Sequence, residues 1–257
     1  MSTVNLYQRN VIKERLQDMI LNFVYNTSEY TSLIFTGGTC LRKVYGLNRL
    51  SEDLDFDYVT LETFDTQLFA KDIRKYLQSA KSYPSVDTKI SGNNNTVFVK
   101  FPDNIFVRCD FSPVSIAAYQ TQKSLVTADN RQFFVQSYDL PTLYANKIAA
   151  FLSRSFFKGA FQKIPFKGRD IYDIYWLLQL SAKTGYTLKP DVKRLIALLG
   201  TDTLEEVRKM VKDKIGLVDP QFVYNDVYPL VESKDLLDQF LEDFGKVISG
   251  QIDYILS

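Results

Sequence analysis

Residues 53 to 58 read DLDFDY, a strict alternation of carboxylate and apolar side chain. Only an extended strand sorts such a pattern onto two faces, with Asp53, Asp55 and Asp57 on one and Leu54, Phe56 and Tyr58 on the other. A helix would scatter the same residues around its circumference. Upstream, the short apolar run SLIFT stops at Gly37-Gly38. Thr39 is placed to cap a helix through CLRKVY, which Gly46 closes. The predicted order is strand, glycine turn, helix, strand.

The flanking sequence extends this order. LYQRNVIKERLQDMILNFVYN predicts an opening helix with Leu6, Val11, Leu16, Ile20, Phe23 and Val24 sharing much of one face. A further helix is expected over Leu61 to Ser79. Beyond it VDTKIS, TVFVKF and IFVRCDF read as three strands in antiparallel hairpins, joined by GNNN and PDN. From Asp139 the pattern turns helical: Asp139 caps, Pro141 sits in the first turn and TLYANKIAAFLSR follows. Another helix opens near Asp170, and VKRLIALLG, TLEEVRKMVKDKIG and LLDQFLEDFGKVISGQIDYIL are amphipathic helix candidates. The predicted class is α+β, a mixed sheet flanked by helices over residues 1–136 followed by a helical bundle over residues 137–257.

Composition narrows the chemistry. With 46% hydrophobic and 24% charged residues among 257, the chain reads as ordered and globular. A net charge of +1 gives no global attraction to polyanions, so any such site must be a local cluster. Two cysteines without a disulfide spacing, a polar start and no apolar run near the roughly 20 residues of a membrane span predict a cytoplasmic protein with no membrane partner. There is no histidine, which removes Ser-His-Asp and Cys-His hydrolysis and imidazole-based zinc sites. Carboxylate, lysine and hydroxyl chemistry remains.

Carboxylates at i and i+2 of a strand lie roughly 6.5 Å apart along the backbone and can converge on a cation. A third carboxylate on a neighbouring strand would complete an oxygen cage for Mg²⁺, and Asp110 in VRCDF is the candidate. Asp57, at the end of the strand, is left out of the cage. The glycine turn opening a helix would present backbone N–H groups to phosphate at Gly37 and Gly38, with the Thr39 hydroxyl adding a bond to a terminal phosphate oxygen. Either feature alone has a structural explanation: a tight turn, or a solvated strand face. Their conjunction predicts phosphoryl or nucleotidyl transfer from an NTP, with two metals about 3.5–4 Å apart. Nothing matches G-x-x-x-x-G-K-[ST], and a histidine-containing kinase loop is excluded, which favours nucleotidyl transfer.

The run GGTCLRKVYGLNRLSEDLDF resembles the first motif of the AbiEii/AbiGii nucleotidyltransferases, a branch of the DNA polymerase β-like superfamily known mainly as toxins of type IV toxin–antitoxin systems. The likeness rests on Gly37, Gly38, Thr39, Leu41, Tyr45, Gly46, Arg49, Ser51 and the Asp53–Phe56 tetrad. It continues through LYANKIAAFLSR and KGRDIYDIYWLL, where Lys147, Arg169 and Asp170 take the family's lysine and arginine-aspartate positions, with Asp173 one turn on. The resemblance implies catalytic roles for Asp53, Asp55, Lys147 and Asp170, to which the metal-cage argument adds Asp110, and nucleotide contacts from Gly37, Gly38, Thr39, Ser51, Lys147 and Arg169. Lys147 would neutralise departing pyrophosphate; Asp170 would orient Lys147, receive the acceptor's proton, or only cap its helix. The implied partners are an NTP, an RNA acceptor such as tRNA, and a separately encoded antitoxin.

RSFFKGAFQKIPFKGR, residues 154 to 169, carries Arg154, Lys158, Lys163, Lys167 and Arg169 with no acid, interleaved with Phe156, Phe157, Phe161 and Phe166. Such a strip suits an RNA end, since cations track phosphates and rings stack bases. It equally suits a solvated loop whose phenylalanines point inward. Two other functions stay open on sequence: transfer to a protein or small-molecule hydroxyl, and a module that binds nucleotide or RNA without turning it over.

Overall fold

In the computed structural model, which describes residues 6–59, 63–79, 83–128, 131–158 and 162–257, the chain forms two compact units. The first holds Met1–Ser115 and Thr121–Tyr138; the second holds Ile116–Gln120 and Asp139–Ser257.

The first unit opens with α1 (Leu6–Asn26), then β1 (Ile34–Thr36), α2 (Gly37–Tyr45), β2 (Asp53–Tyr58) and α3 (Thr66–Ser79). Five strands follow: β3 (Asp87–Ile90), β4 (Thr96–Lys100), β5 (Phe106–Pro113), β6 (Thr121–Ala128) and β7 (Arg131–Tyr138). They build one mixed sheet in the order β3-β4-β5-β2-β1-β7-β6. The β3/β4 and β4/β5 pairs are antiparallel, as the hairpin pattern predicts, whereas β2 runs parallel to β5 and β1 parallel to β7. The β6/β7 hairpin went unread in the sequence because FFVQS runs three apolar residues together; burial alternates along it in the fold, and β7 is what extends the sheet past β1.

Alternation in β2 is realised as expected. Leu54, Phe56 and Tyr58 are buried while the three aspartates are half-buried. On the apolar face Phe56 stacks on Phe111 of β5 at 5.6 Å, and α3 covers this ring cluster with Phe69 lying 4.8 Å from Phe111. Asp65 accepts from the Gln67 and Leu68 N–H groups, which starts α3 at Thr66; the expected start at Leu61 lies outside the described residues. In α1, Leu16, Ile20, Phe23 and Val24 are buried as predicted, but Leu6 is 62% exposed because the first turn lies beyond the packed face.

The second unit contains α4 (Leu140–Ser153), α5 (Gly168–Thr184), α6 (Val192–Leu199), α7 (Leu204–Gly216), α8 (Pro220–Val227) and α9 (Lys234–Ile255). Asp139 caps α4 through Thr142 N–H, with Pro141 in the first turn. Helix α8 was not anticipated, though Asp219-Pro220 is a cap followed by a first-turn proline. Phe240 of α9 packs edge-on against Tyr172 and Tyr175 of α5 at 4.9 and 5.1 Å. Ile116–Gln120 joins this unit because buried Arg194 of α6 donates to the carbonyls of Ile116 and Ala118, both at 3.0 Å.

Candidate active site

Gly37 is the first residue of α2 and has φ +80°, a left-handed conformation that side chains resist. A Cβ at Gly37 would fall on the Asp55 carboxylate, so the turn and the acid are in contact. The pairing Thr36↔Asp55 between antiparallel β1 and β2 brings this about: the turn leaves β1 where Asp55 faces it. A Cβ at Gly38 would lie 2.8 Å from Arg49 Nη2 and 3.1 Å from Ser51 Oγ. Ser51 is thus brought to the glycine turn, as its predicted role requires, and Arg49 comes with it.

Thr39 is placed differently from the sequence reading. The helix cap is Thr36, and Thr39 sits in the first turn, fully buried, with its hydroxyl donating to the Asp53 carbonyl. That hydrogen bond ties α2 to β2 and takes the proton that the expected phosphate contact needed. What α2 offers an anion is backbone N–H at its positive end.

The connection from α2 to β2 is held by α1. Gln17 Nε2 donates to the Ser51 carbonyl at 3.0 Å, Lys13 pairs with Glu52 at 3.5 Å, Glu14 takes Arg42 at 2.8 Å and Lys43 pairs with Asp18 at 2.6 Å. The polar face of α1 therefore fixes the loop carrying Arg49 and Ser51.

Parallel pairing of β2 with β5 sets Asp53 beside Arg108 and Asp55 beside Asp110. These four positions share one sheet face. The three-carboxylate cage expected from Asp53, Asp55 and Asp110 is not drawn together: among the described residues no three His, Cys, Asp or Glu side chains form a metal-holding group. Asp110 is instead turned to Arg108 Nε, at 2.9 and 3.0 Å, and to the Thr96 hydroxyl at 2.5 Å. Like charges in register across β2 and β5 repel, and Arg108 offsets that repulsion at Asp110. Asp57, left out of the cage, accepts from the Tyr138 hydroxyl at 2.7 Å. Burial pushes the Cys109 thiol well above its ordinary range, and the charges of Asp110, Asp53 and Asp55 push it further.

In the second unit, Lys147 of α4 is buried, which removes the reading of a solvated lysine. Its Nζ lies 2.7 Å from Asp173 and 3.5 Å from Asp170, both buried on α5. Arg154 reaches Asp170 at 3.3 Å. The cap of α5 is Lys167, so Asp170 lies in the first turn and faces cations rather than capping. Arg169 has the carboxylate partner that its sequence context allows beside a nucleotide contact: it pairs with Asp226 of α8 at 3.3 Å, and its N–H donates to the same carboxylate at 3.0 Å. This contact fastens α5 to α8.

The basic strip is not a simple loop. Phe156–Lys158 (β8) and Gln162–Ile164 (β9) form an antiparallel hairpin. Phe166 is buried and Arg154 is exposed; the side chains of Phe156, Phe157, Lys158, Phe161 and Lys163 lie outside the described residues. Lys167 is half-buried, and that burial, with the charges of Arg154 and Arg169 beside it, lowers its pKa.

The family described as nucleotidyl transferase AbiEii toxin, type IV toxin–antitoxin system, matches residues 24–243. The chain belongs to the AbiEii family. It is a nucleotidyltransferase, an NTP-using enzyme of a toxin family that works with cognate antitoxins. JHP933 from Helicobacter pylori matches the AbiEii chain with a TM-score of 0.53 at 19% identity, covering 97% of this chain and 92% of that one. MenT4, a nucleotidyltransferase toxin from Mycobacterium tuberculosis H37Rv, matches at 0.55 and 15%, covering 98% and 93%. At those identities the likeness shows a shared fold. No curated protein matches the sequence.

Sequence reasoning about this AbiEii chain missed three site-forming side chains. Arg108 was passed over inside VRCDF, where an alternating strand puts it on the face of Asp110. Asp173, noted without a role, is the nearer partner of Lys147; its spacing of three from Asp170 on a helix is the available signal. Arg49 needed the fold, since nothing local shows which glycine it packs on. Among the described residues no helix is long and apolar enough to cross a membrane.

Proposed function

We propose that this AbiEii chain transfers a nucleoside monophosphate from an NTP to a hydroxyl of an RNA, with tRNA the leading acceptor, in a Mg²⁺-dependent reaction. The contact between the Gly37 turn and the Asp55 carboxylate carries the reading, because it sets an anion-binding helix end against a cation-binding acid. The acceptor oxygen bonds to the α-phosphorus, the bond to the β-phosphate oxygen breaks, and pyrophosphate leaves. The hydroxyl proton passes to a carboxylate.

Backbone N–H groups at Gly37 and Gly38 hold the triphosphate, with Ser51 adding a contact beside the turn and Arg49 packed against Gly38. The donor set fits a hard divalent cation: all-oxygen carboxylates beside a turn that only glycine leaves open. Asp53, Asp55 and Asp110 would hold Mg²⁺, which neutralises phosphate charge and lowers the pKa of a bound hydroxyl. Lys147 keeps the cationic role toward pyrophosphate that the resemblance implies. Both Asp170 and Asp173 engage it, which supports orienting roles for the two acids. The antitoxin is a separate chain. The exposed Arg154 and the basic hairpin support RNA over a small acceptor.

The test is incubation with each α-³²P-labelled NTP, Mg²⁺ and total RNA, resolved on a denaturing gel beside Asp53→Ala. A labelled RNA band lost in the variant is expected. Label in protein or in the soluble fraction would replace RNA as acceptor, and Mg²⁺-dependent NTP binding without pyrophosphate release would replace catalysis with binding.

A further inference from the structure

Among the aspartates of the β2/β5 face, Arg108 brings the opposite sign. Arg108 sits beside Asp53 in the β2/β5 register and two residues from Asp110 on its own strand. Its Nε meets both Asp110 oxygens, at 2.9 and 3.0 Å. The pair is not sealed in the core, since the Arg108 side chain is 45% exposed and that of Asp110 22%. The third partner, Thr96, reaches Asp110 from β4 on the far side. Asp110, the cross-strand neighbour of Asp55, is thus engaged by a cation on a long, solvated arm.

We propose that Arg108 is a placeholder cation that sets the metal affinity of this site. It neutralises Asp110 while no divalent cation is bound and gives the carboxylate up when one enters. The inference rests on the reading of Asp110 as a metal ligand. A structural ion pair would show a forked, two-nitrogen geometry with the guanidinium locked in place; a displaceable one needs exposure and a weak net attraction, because half-solvated pairs are worth little. Arg108 meets the second description. Guanidinium and metal compete for the same oxygens, so removing the arginine leaves Asp110 an uncompensated carboxylate beside Asp55. That arrangement binds cations more tightly.

Mn²⁺ binding to the full chain without nucleotide, followed by electron paramagnetic resonance, tests the proposal independently of turnover. Arg108→Gln is expected to tighten Mn²⁺ about fivefold, with Arg108→Lys between it and the parent, and thermal melting to verify folding. In an Asp110→Asn background Arg108→Gln is expected to change nothing. Equal or weaker Mn²⁺ binding in Arg108→Gln would overturn the placeholder. If Asp110→Asn binds Mn²⁺ like the parent while Asp55→Asn does not, Asp110 is no ligand, and the proposal falls while the metal reading of Asp55 stands. Loss of no Mn²⁺ binding in any of these carboxylate variants would overturn the metal reading itself.

Discussion

The Asp55 carboxylate occupies the space that a side chain on Gly37 would need. Gly37→Ala therefore carries two penalties. The left-handed φ of +80° costs a β-carbon about 1–2 kcal/mol, and the new methyl pushes Asp55 off its position. A melting temperature lowered by several degrees and a fall of about 100-fold in NTP transfer are expected, the size seen when one preorganised charge contact is lost. At Gly38 the backbone carries no left-handed cost, and the new Cβ would meet the end of the Arg49 side chain, 2.8 Å away, rather than the Asp55 carboxylate. Gly38→Ala should be the milder change by both melting and labelled-nucleotide incorporation.

Asp55→Asn separates chemistry from folding. In the parent, Asp55 faces Asp110 across β2 and β5, a like-charge pairing that destabilises a sheet. Removing one charge should leave the melting temperature unchanged or slightly higher. Transfer should fall by about 100-fold or more. A variant that melts normally and turns over normally would take Asp55 out of the mechanism.

How far the sequence carried this depended on whether the signal was local. The strand-turn-helix-strand unit was legible because DLDFDY, the glycine pair and the closing Gly46 each dictate backbone geometry on their own. The α+β class and the helical C-terminal region followed from the same kind of periodicity. Side-chain partnerships across elements were not legible. Thr39 looked like a cap and phosphate ligand, but a residue's hydroxyl partner depends on which strand packs over it, and here that is β2. Which carboxylate Arg169 would meet depended on α8, which brings Asp226 to it. Arg108 could be placed on the Asp110 face by alternation, yet which oxygens it would reach depended on the fold.

The brace between α1 and α2 gives a pH signature. Burial alone would raise the Glu14 pKa, but the hydrogen bond and charges of Arg42 and Lys43 outweigh it, so the folded-state value is lowered from 4.5. A depressed carboxylate contributes stability that is present above its unfolded value and is lost as pH falls through the folded one. Glu14→Gln should therefore lower the melting temperature near pH 7 and narrow its gap to the parent below about pH 4.5. Melting curves across pH 3–7 measure this directly. Because the brace fixes the loop bearing Arg49 and Ser51, the variant should also raise the KM for NTP more than it lowers kcat.

Lys147 pairs with Asp173 and shares Asp170 with the exposed Arg154, the lysine and both aspartates being buried in the second unit. Buried pairs contribute little net stability when intact, but breaking one strands a charge without water. Lys147→Met leaves Asp173 buried without its cation, and a loss of about 3–5 kcal/mol is expected. Part of that loss reflects the stranded carboxylate rather than the lysine itself, so Lys147→Met/Asp173→Asn should recover much of the melting temperature. The double variant then isolates function from fold. If Lys147 acts on the leaving pyrophosphate, the refolded double variant still fails to transfer nucleotide; if the lysine only balances the two aspartates, transfer returns with stability.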